Sequence, residues 1–494
     1  MGDAKQGELA GLKFNRSVRI EARGERLSDS GGAVLVREAL ERTGILRTLA
    51  ESIDDPRDPR RITHPQSELL ATFVTLLALG WQDQDDADAL RKDPLLRLSV
   101  SERVGDAPLR DDPACEGSAN PPVPQGLASQ PTLSRLLTRL AERGRLERLR
   151  DGPRESVVRR MRGLTGRRRL QHVTLDVDAL PIPVEGHQPG SAWNGHFHDT
   201  VYHPLVTTAA ELGDMVAVRL RRGQAHAAEG ACMTILDDVR WAKEHLADGV
   251  SVRIDAGMPS DPLLSALESE HTHYVARLCN NAVLDRMAQP YLRRPPGRRP
   301  AIPRMWLYEE RYGAQSWSRD RRVVLVVLER EDELLLQHFW LLTSWRPDKV
   351  PADKVLARYR RRGVAEGHLG EFKDVLGLKL SSSPRGPRSE DWRSKFIGPV
   401  RPCDDPFFRA NDAMLQLCAL AYNAMHALRR LLYLGLPLSE RGWSLRHLRE
   451  RVLRVAARVS LHARRVTIIV TEATARYWKL ISDQWHCLDA SPAC

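Results

Sequence analysis

The spacing of apolar residues changes from helical to strand-like near residue 166. Three earlier segments have apolar residues at helical spacing or in one unbroken run: Val34 to Leu49, Leu69 to Leu79, and Pro131 to about Arg162. Three later segments are short, apolar and separated by turn residues, as strands are: His172 to Asp178, Val201 to Thr208, and Met215 to Leu220. The pattern predicts an all-helical N-terminal region, residues 1–165, followed by a domain built on a sheet.

Helices and strands then alternate as far as residue 278. The predicted order is a helix at 227–246, a strand at 250–255, a helix at 259–269 and a strand at 273–278. Alternation of this kind after a run of strands is typical of an α/β or α+β sheet domain.

Residues 288–348 interrupt this alternation. The run 293–300 is too rich in proline for a regular element, whereas Val323 to Glu329 and Leu334 to Thr343 flank a polar turn and predict a β-hairpin. We therefore expect a β-rich insertion over 288–348, between a first part of the sheet domain (166–287) and a second part (349–400).

The C-terminal region, residues 401–494, has mainly helical spacing. A helix is predicted at Val355 to Leu376, in the second part of the sheet domain. In the C-terminal region, helices are predicted at Phe408 to Leu434 and at Leu445 to Leu461, with a short strand at Val466 to Val470. The overall prediction is an α/β protein with helical N-terminal and C-terminal regions.

Charge narrows the range of functions. Lysine and arginine number 75 against 64 aspartates and glutamates, which gives a net charge of +11 and a pI of about 9.5. That excess suits a polyanionic partner such as nucleic acid. The longest apolar run, Leu69 to Trp81, is short of the ~20 residues of a membrane span. With no apolar signal region and no CxxC pair among seven cysteines, we expect a reduced, cytoplasmic protein without membrane attachment.

The predicted helix near residue 360 carries the clearest candidate for chemistry. Tyr359, Arg362, Glu366 and Lys373 follow the spacing Y-x2-R-x3-E-x6-K. At ~100° per residue these four side chains fall within ~60° of arc on one continuous helix. Such a stripe could bind a metal through its carboxylate and a phosphate through its cations. A solvated charged face is the alternative interpretation.

Two aspartates that close predicted strands strengthen the functional interpretation. Asp178 ends the strand 173–178 and Asp255 ends the strand 250–255, although aspartate is disfavoured in strands. Together with Glu366 they form a set of hard oxygen ligands that suits Mg²⁺. Asp176 lies two residues before Asp178 and so on the same strand face. We favour Asp178 as the ligand, with Asp176 sharing or replacing that role as the open alternative.

These motifs resemble the DDE transposases of bacterial insertion sequences, within the IS4-like superfamily that has the Y-R-E-K signature, and in particular the IS1380 group. The resemblance covers most of the chain. It is carried by Gly80–Asp88, Leu90–Pro94, Leu127–Arg135, Leu175–Asp178, Gly186–Gln188, Trp193–Gly195, Tyr202–Leu205, Arg219–Gly223, Arg253–Gly257, the helix Tyr359–Lys373, Arg409–Asp412 and Ala421–Asn423. One departure is Leu180, which stands where the family often has threonine.

The resemblance implies an RNase H-like catalytic domain with a β-strand insertion. Asp178, Asp255 and Glu366 would be its catalytic, metal-binding triad, holding two Mg²⁺ ions, or Mn²⁺ in their place. Tyr359, Arg362 and Lys373 would contact DNA phosphates near the cleaved end. It also implies a transposase that cuts terminal inverted repeats and joins them to target DNA, and that acts as a dimer on double-stranded DNA in the bacterial cytoplasm and nucleoid. The basic N-terminal region would recognise the repeats.

A second group of candidate DNA contacts comes from the charge pattern. Arg293, Arg294, Arg298 and Arg299 form a cluster that either binds DNA phosphates or is simply a basic surface. The sequence leaves two alternative functions open. One is an RNase H-like nuclease that cleaves without strand transfer, and the other is a transposase-derived DNA-binding protein with an inactive centre.

Overall fold

The computed structural model describes residues 8–9, 14, 20–21, 25–110, 126–166, 168–186, 188–297, 302–381 and 404–490. Its helices are α1 (Ala33–Thr43), α2 (Ile45–Ser52), α3 (Gln66–Leu79), α4 (Asp86–Ala89), α5 (Pro94–Val100), α6 (Gln130–Leu140), α7 (Arg143–Thr165), α8 (Ala231–His245), α9 (Asp261–Ser269), α10 (Ala282–Ala288), α11 (Ala352–Arg360), α12 (Arg362–Leu376), α13 (Pro406–Gly435), α14 (Leu445–Leu448) and α15 (Glu472–Ala490).

Its strands are β1 (Glu8–Leu9), β2 (Ile20–Glu21), β3 (Arg26–Ser28), β4 (Leu170–Ala179), β5 (Ile182–Pro183), β6 (Ala192–Asn194), β7 (Asp199–Tyr202), β8 (Leu205–Ala209), β9 (Asp214–Arg219), β10 (Ala247–Ile254), β11 (His273–Arg277), β12 (Arg304–Tyr312), β13 (Arg321–Glu329), β14 (Gln337–Thr343), β15 (Ala457–His462) and β16 (Arg465–Ile469).

An eight-stranded mixed sheet organises the middle of the chain. Its strand order is β12-β13-β14-β11-β10-β4-β8-β9. Strands β4, β10 and β11 run parallel to one another, whereas β8 and β9 on one side and β14, β13 and β12 on the other pair antiparallel. The mixed α/β architecture predicted from the sequence is therefore present.

The two faces of this sheet have different chemistry. Alternate residues of a strand point to opposite faces. Val173, Leu175 and Val177 of β4 lie in an apolar core with α8 and α9, whereas Asp176 and Asp178 point to the other face. That second face is covered in part by α11, whose Val355 and Leu356 pack with β13 and β14. Polar residues on β4 therefore lie between the sheet and the α11–α12 pair.

The N-terminal and C-terminal helices form one body around α13. This 30-residue helix is buried along most of its length and packs against α1, α3, α6, α7 and β9. Asp405 caps its first turn by accepting hydrogen bonds from the backbone N–H groups of Phe407 and Phe408. Each helix in the described ranges is too short or too polar to cross a bilayer.

Several predicted elements need correction. The helix predicted over Val34–Leu49 is two helices, because Gly44 adopts φ +60° and ends α1. The strand predicted over Val201–Thr208 is broken between β7 and β8, beside Pro204. The helix predicted over Leu445–Leu461 lasts only through α14 and a π-helical turn at Arg449–Leu453, and it is followed by β15. The C-terminal region is thus not wholly helical, and neither is the N-terminal region, which contains β1, β2 and β3.

The predicted insertion 288–348 does contain the β-hairpin, as β13 and β14. An additional strand, β12, was not predicted. All three strands extend the central sheet from the edge of β11. The hydrogen bonds of β13, whose residues are mostly buried, are thereby satisfied on both sides.

Candidate active site

The register of two parallel strands places Asp178 beside Asp255. Val177 of β4 pairs with Ile254, the last residue of β10, and the next residue in each case is an aspartate. Asp178 accepts a hydrogen bond from the backbone N–H of Ala179 at 2.8 Å, and Asp255 begins a turn in which its carbonyl accepts from Met258 N at 3.2 Å. Both carboxylates lie at the carboxyl end of the sheet, on the face toward α12.

Helix α12 adds the third carboxylate and a cation. Arg362 Nη2 lies 2.5 Å from Asp178 Oδ2, and its Nη1 lies 2.7 Å from Glu366 Oε1 and 3.5 Å from Asp255 Oδ1. The three acidic residues predicted from the sequence therefore meet around one guanidinium. We refer to Asp178, Asp255 and Glu366 as the triad.

The triad is buried on one side and open on the other. The side chains of Arg362 and Asp178 are 13% and 21% exposed, whereas those of Asp255 and Glu366 are 42% and 58% exposed. Burial raises the pKa of Asp178 to about 6; the positive charge of Arg362 opposes that rise, and the negative charges of Asp255 and Glu366 add to it. Asp255 and Glu366 are therefore accessible from solvent.

Packing on its other face fixes α12. Leu369, Phe372 and Leu376 are buried, and the ring of Phe372 meets that of Tyr422 on α13 edge-on at 5.7 Å. The Tyr422 hydroxyl lies 3.0 Å from His368 Nδ1, two residues beyond Glu366. The position of Glu366 thus depends on α13, which lies outside the predicted sheet domain.

Asp176 has a different partner. It pairs with Arg253 of β10 in register, and the Arg253 Nε and Nη2 atoms donate to its two carboxylate oxygens at 2.5 and 2.6 Å. Both side chains are 5% exposed. Burial raises the pKa of Asp176 and the Arg253 cation opposes that rise. Both oxygens of Asp176 accept hydrogen bonds from Arg253, and its part in metal binding stays a prediction.

The predicted single helix over the signature residues is interrupted at Arg361. Tyr359 lies on α11, while Arg362, Glu366 and Lys373 lie on α12. Tyr359 is half-buried, and burial raises its pKa. Lys373 lies about two turns beyond Glu366 and is also half-buried. Only Arg362, Glu366 and Lys373 therefore share one helix.

The arginine cluster near residue 295 is divided. Arg293 is exposed, whereas the Nε of Arg294 lies 3.0 Å from Glu329 Oε1, a carboxylate with 2% of its side chain exposed. Arg294 also donates to the carbonyl of Glu333 at 3.0 Å. Arg298 and Arg299 lie outside the described residues.

Sequence reasoning missed Arg253 and the polar cavity beside it. This cavity of about 500 Å³ lies on the triad's face of the sheet, and Asp176, Glu211, His273 and Trp345 are among its lining residues. The available signal was the strand sequence Val250–Asp255, in which arginine and aspartate alternate with apolar residues. If this strand is paired in parallel with Asp176–Asp178, Arg253 lies opposite Asp176, which predicts the observed ion pair.

The donor chemistry of the triad fits a hard divalent cation. Carboxylate oxygens are the ligands that Mg²⁺ prefers, and the triad brings them to one guanidinium. Within the ranges that the structure describes, no three His, Cys, Asp or Glu side chains form a preformed cage for an ion. The guanidinium of Arg362 stands between the triad carboxylates as a monovalent counter-ion.

The fold and the site define a mixed α/β protein with an acidic centre at the carboxyl end of two parallel strands. Residues 10–386 match the family model described as Transposase DDE domain group 1, and the chain belongs to this DDE transposase family. No curated protein sequence matches it significantly. Among solved structures, the cryo-EM structure of the piggyBac transposase synaptic complex with hairpin DNA is similar, with a TM-score of 0.39 and 11% identity, covering 99% of this chain and 85% of that chain.

Proposed function

We propose that this chain is a transposase of the IS1380 group that cleaves DNA at the terminal inverted repeats of its own element and joins the ends to target DNA. Water attacks a phosphodiester and releases a 3′ hydroxyl at the element end. That hydroxyl then attacks a phosphodiester of the target. Each step forms one P–O bond and breaks one, so neither a high-energy co-reactant nor a covalent enzyme–DNA intermediate is needed.

One observation carries this proposal. Asp178, Asp255 and Glu366 are distant in sequence, yet they converge on Arg362 at the carboxyl end of the two central strands β4 and β10. Solvated charged faces do not gather carboxylates from two strand ends and a helix around one cation. The raised pKa of Asp178 reflects the same crowding and burial of negative charge.

The strand order supports an RNase H-like catalytic domain. Strand β8 pairs antiparallel with both β9 and β4. Strand β10 pairs parallel with both β4 and β11. We take this arrangement as support for the RNase H-like domain that the resemblance implies. We propose that it comprises residues 166–287 and 349–400, with 288–348 as its insertion, and that the basic region 1–165 recognises the terminal repeats.

The triad is the proposed site for two Mg²⁺ ions, with Mn²⁺ as a substitute. When bound, they supply Lewis-acid activation of the attacking oxygen and stabilise the leaving oxygen. In this proposal the chain itself orients the DNA: Arg362 holds a phosphate oxygen, and Tyr359 and Lys373 hold flanking phosphates. Asp178 keeps its position because it lies within β4, and Asp255 because it directly follows β10.

Two further parts of the proposal concern assembly and place of action. Two copies act together when two element ends are joined, and the protein works on double-stranded DNA in the bacterial cytoplasm, at the nucleoid. The net charge of +11 supports binding to a nucleic-acid backbone.

The test is an end-cleavage assay on a plasmid that carries the gene with its flanking DNA. Asp178→Asn, Asp255→Asn and Glu366→Gln should each lose cleavage by ~100-fold or more while they still bind DNA. Asp248→Asn is the matched control, because Asp248 lies on β10 at the end opposite Asp255, is 68% exposed and pairs with Arg169. It should cleave at the wild-type rate.

The reaction products distinguish a transposase from a nuclease and from an inactive DNA-binding protein. Cleaved ends without joined products would reject strand transfer and favour a nuclease. A wild-type protein that binds its element ends in Mg²⁺ or Mn²⁺ without cutting would reject an enzyme altogether. Wild-type cleavage by any of the three triad variants would reject the assigned centre.

A further inference from the structure

A second, smaller sheet holds the C-terminal hairpin against the N-terminal helices. Its order is β16-β15-β3, so that β15 pairs both with its hairpin partner and with a strand from the start of the chain. Val459 on its inner face packs with Leu95 and Leu109, and Leu461, Val466 and Ile468 pack beside them. The hairpin is therefore fixed on one face only. We call residues 457–469 the C-terminal ribbon.

The outer face of the C-terminal ribbon is polar and basic. The cross-strand pairs Ser460–Thr467 and His462–Arg465 are exposed, as are Arg458 and Ile469 at the base of the ribbon. Residues 457–469 include no aspartate or glutamate. The carboxylate of Glu25 lies 3.9 Å from Arg458, and within the described ranges it forms the one ion pair of these residues. Hydroxyl donors and cations thus face solvent together toward the tip.

The tip presents an arginine in a strained backbone. His462 pairs with Arg465, which leaves a two-residue loop, and both loop residues are left-handed: Ala463 has φ 46° and Arg464 has φ 65°. Loops of this kind favour Asn-Gly because side chains other than those of Gly, Asn and Asp are disfavoured at positive φ. Strain of this sort tends to persist where a side chain has a function. Arg464 is held at the most protruding point of the ribbon, next to Arg465.

We propose that the C-terminal ribbon inserts its tip into a groove of duplex DNA, with Arg464 and Arg465 on phosphates and Ser460 and Thr467 toward the groove. This inference rests on the proposed function in one respect: DNA is taken as the polyanion that the basic face of the ribbon binds. A two-stranded ribbon fits the width of the major groove. A membrane or protein partner would call for an apolar tip, whereas the exposed apolar residues, Leu27 and Ile469, lie at the base.

The experiment measures binding of the full-length chain to duplex DNA, carrying the element ends or a random sequence, across a series of salt concentrations. Arg464→Glu combined with Arg465→Glu should weaken binding by ~10-fold or more and reduce the salt slope by ~2, at ~0.9 per phosphate contact. Arg446→Glu combined with Lys479→Glu is the charge-matched control on α14 and α15, where the two side chains are 78% and 75% exposed. It should change neither quantity.

A second variant distinguishes a loss of DNA binding from a loss of folding stability. Arg464→Gly relieves the left-handed strain, so it should raise the melting temperature while it weakens DNA binding and lowers the salt slope by ~1. Wild-type affinity and slope in both ribbon variants would overturn the proposal. Normal cleavage by those variants would leave the triad assignment intact, whereas failure of the wild-type chain to bind DNA would overturn both.

Discussion

Arg362 forms its shortest contact with Asp178, 2.5 Å from Nη2 to Oδ2, and its other terminal nitrogen reaches Glu366 and Asp255. The guanidinium therefore neutralises the carboxylates that are proposed to bind a divalent cation. A cation that enters the triad must compete with it.

Arg362→Gln should bind Mn²⁺ more tightly than the wild-type chain in the absence of DNA, by ~10-fold, which is ~1.4 kcal/mol. The measurement is electron paramagnetic resonance of free Mn²⁺ during titration. Arg361→Gln is the matched control, because it removes an equal charge from the exposed residue next to it. Equal affinities in the two variants would mean that Arg362 does not occupy the cation's place.

Asp176→Asn should destabilise the fold rather than remove a metal ligand. It leaves the buried Arg253 guanidinium without its counter-charge, which should lower the free energy of unfolding by ~3–5 kcal/mol. Replacing both residues by apolar ones, Asp176→Leu with Arg253→Met, should recover most of that loss. Urea denaturation measures both. A stable Asp176→Asn protein that no longer binds Mn²⁺ would instead place Asp176 among the ligands.

Arg293 and Arg294 should respond differently to substitution by alanine. Arg294→Ala deprives the buried Glu329 carboxylate of a partner and should lower the free energy of unfolding by ~1–3 kcal/mol. Arg293→Ala should leave stability unchanged and weaken DNA binding with a shallower salt dependence. Thermal melts and DNA-binding titrations distinguish the two variants. An unchanged DNA affinity in Arg293→Ala would show that Arg293 does not contact DNA.

Gly367 lies on α12 next to Glu366, and a Cβ added there would meet nothing within 4 Å. Gly367→Ala should therefore raise the free energy of unfolding by up to ~1 kcal/mol. If DNA passes close to this face of α12, the same methyl group should reduce cleavage. Gly163→Ala on α7, where space is equally open, is the control for stability without an effect on activity. Full cleavage by Gly367→Ala would show that DNA does not approach the helix there.

Local pattern was sufficient for much of the fold and for the choice of acidic residues. Helices α3 and α13 and strands β4, β10, β13 and β14 follow from apolar spacing alone, because each has a long buried face. Asp178 and Asp255 stood out because aspartate closes an apolar strand, and Glu366 because of its spacing from Arg362. The boundary errors occur where one residue, such as Gly44 or Arg361, interrupts an otherwise continuous pattern.

Tertiary pairing decided the rest. Asp176 and Asp178 share a strand face, and the sequence favoured Asp178 without showing which charges each residue would meet. The register of β4 against β10 sets Asp176 opposite Arg253 and Asp178 next to Asp255. In the same way, β15 is a strand because β3, near the other end of the chain, pairs with it. The sequence alone determined which residues can form elements and carry charge. Contacts between distant segments determined which charges meet, because hydrogen-bond register and burial depend on partners that no local pattern contains.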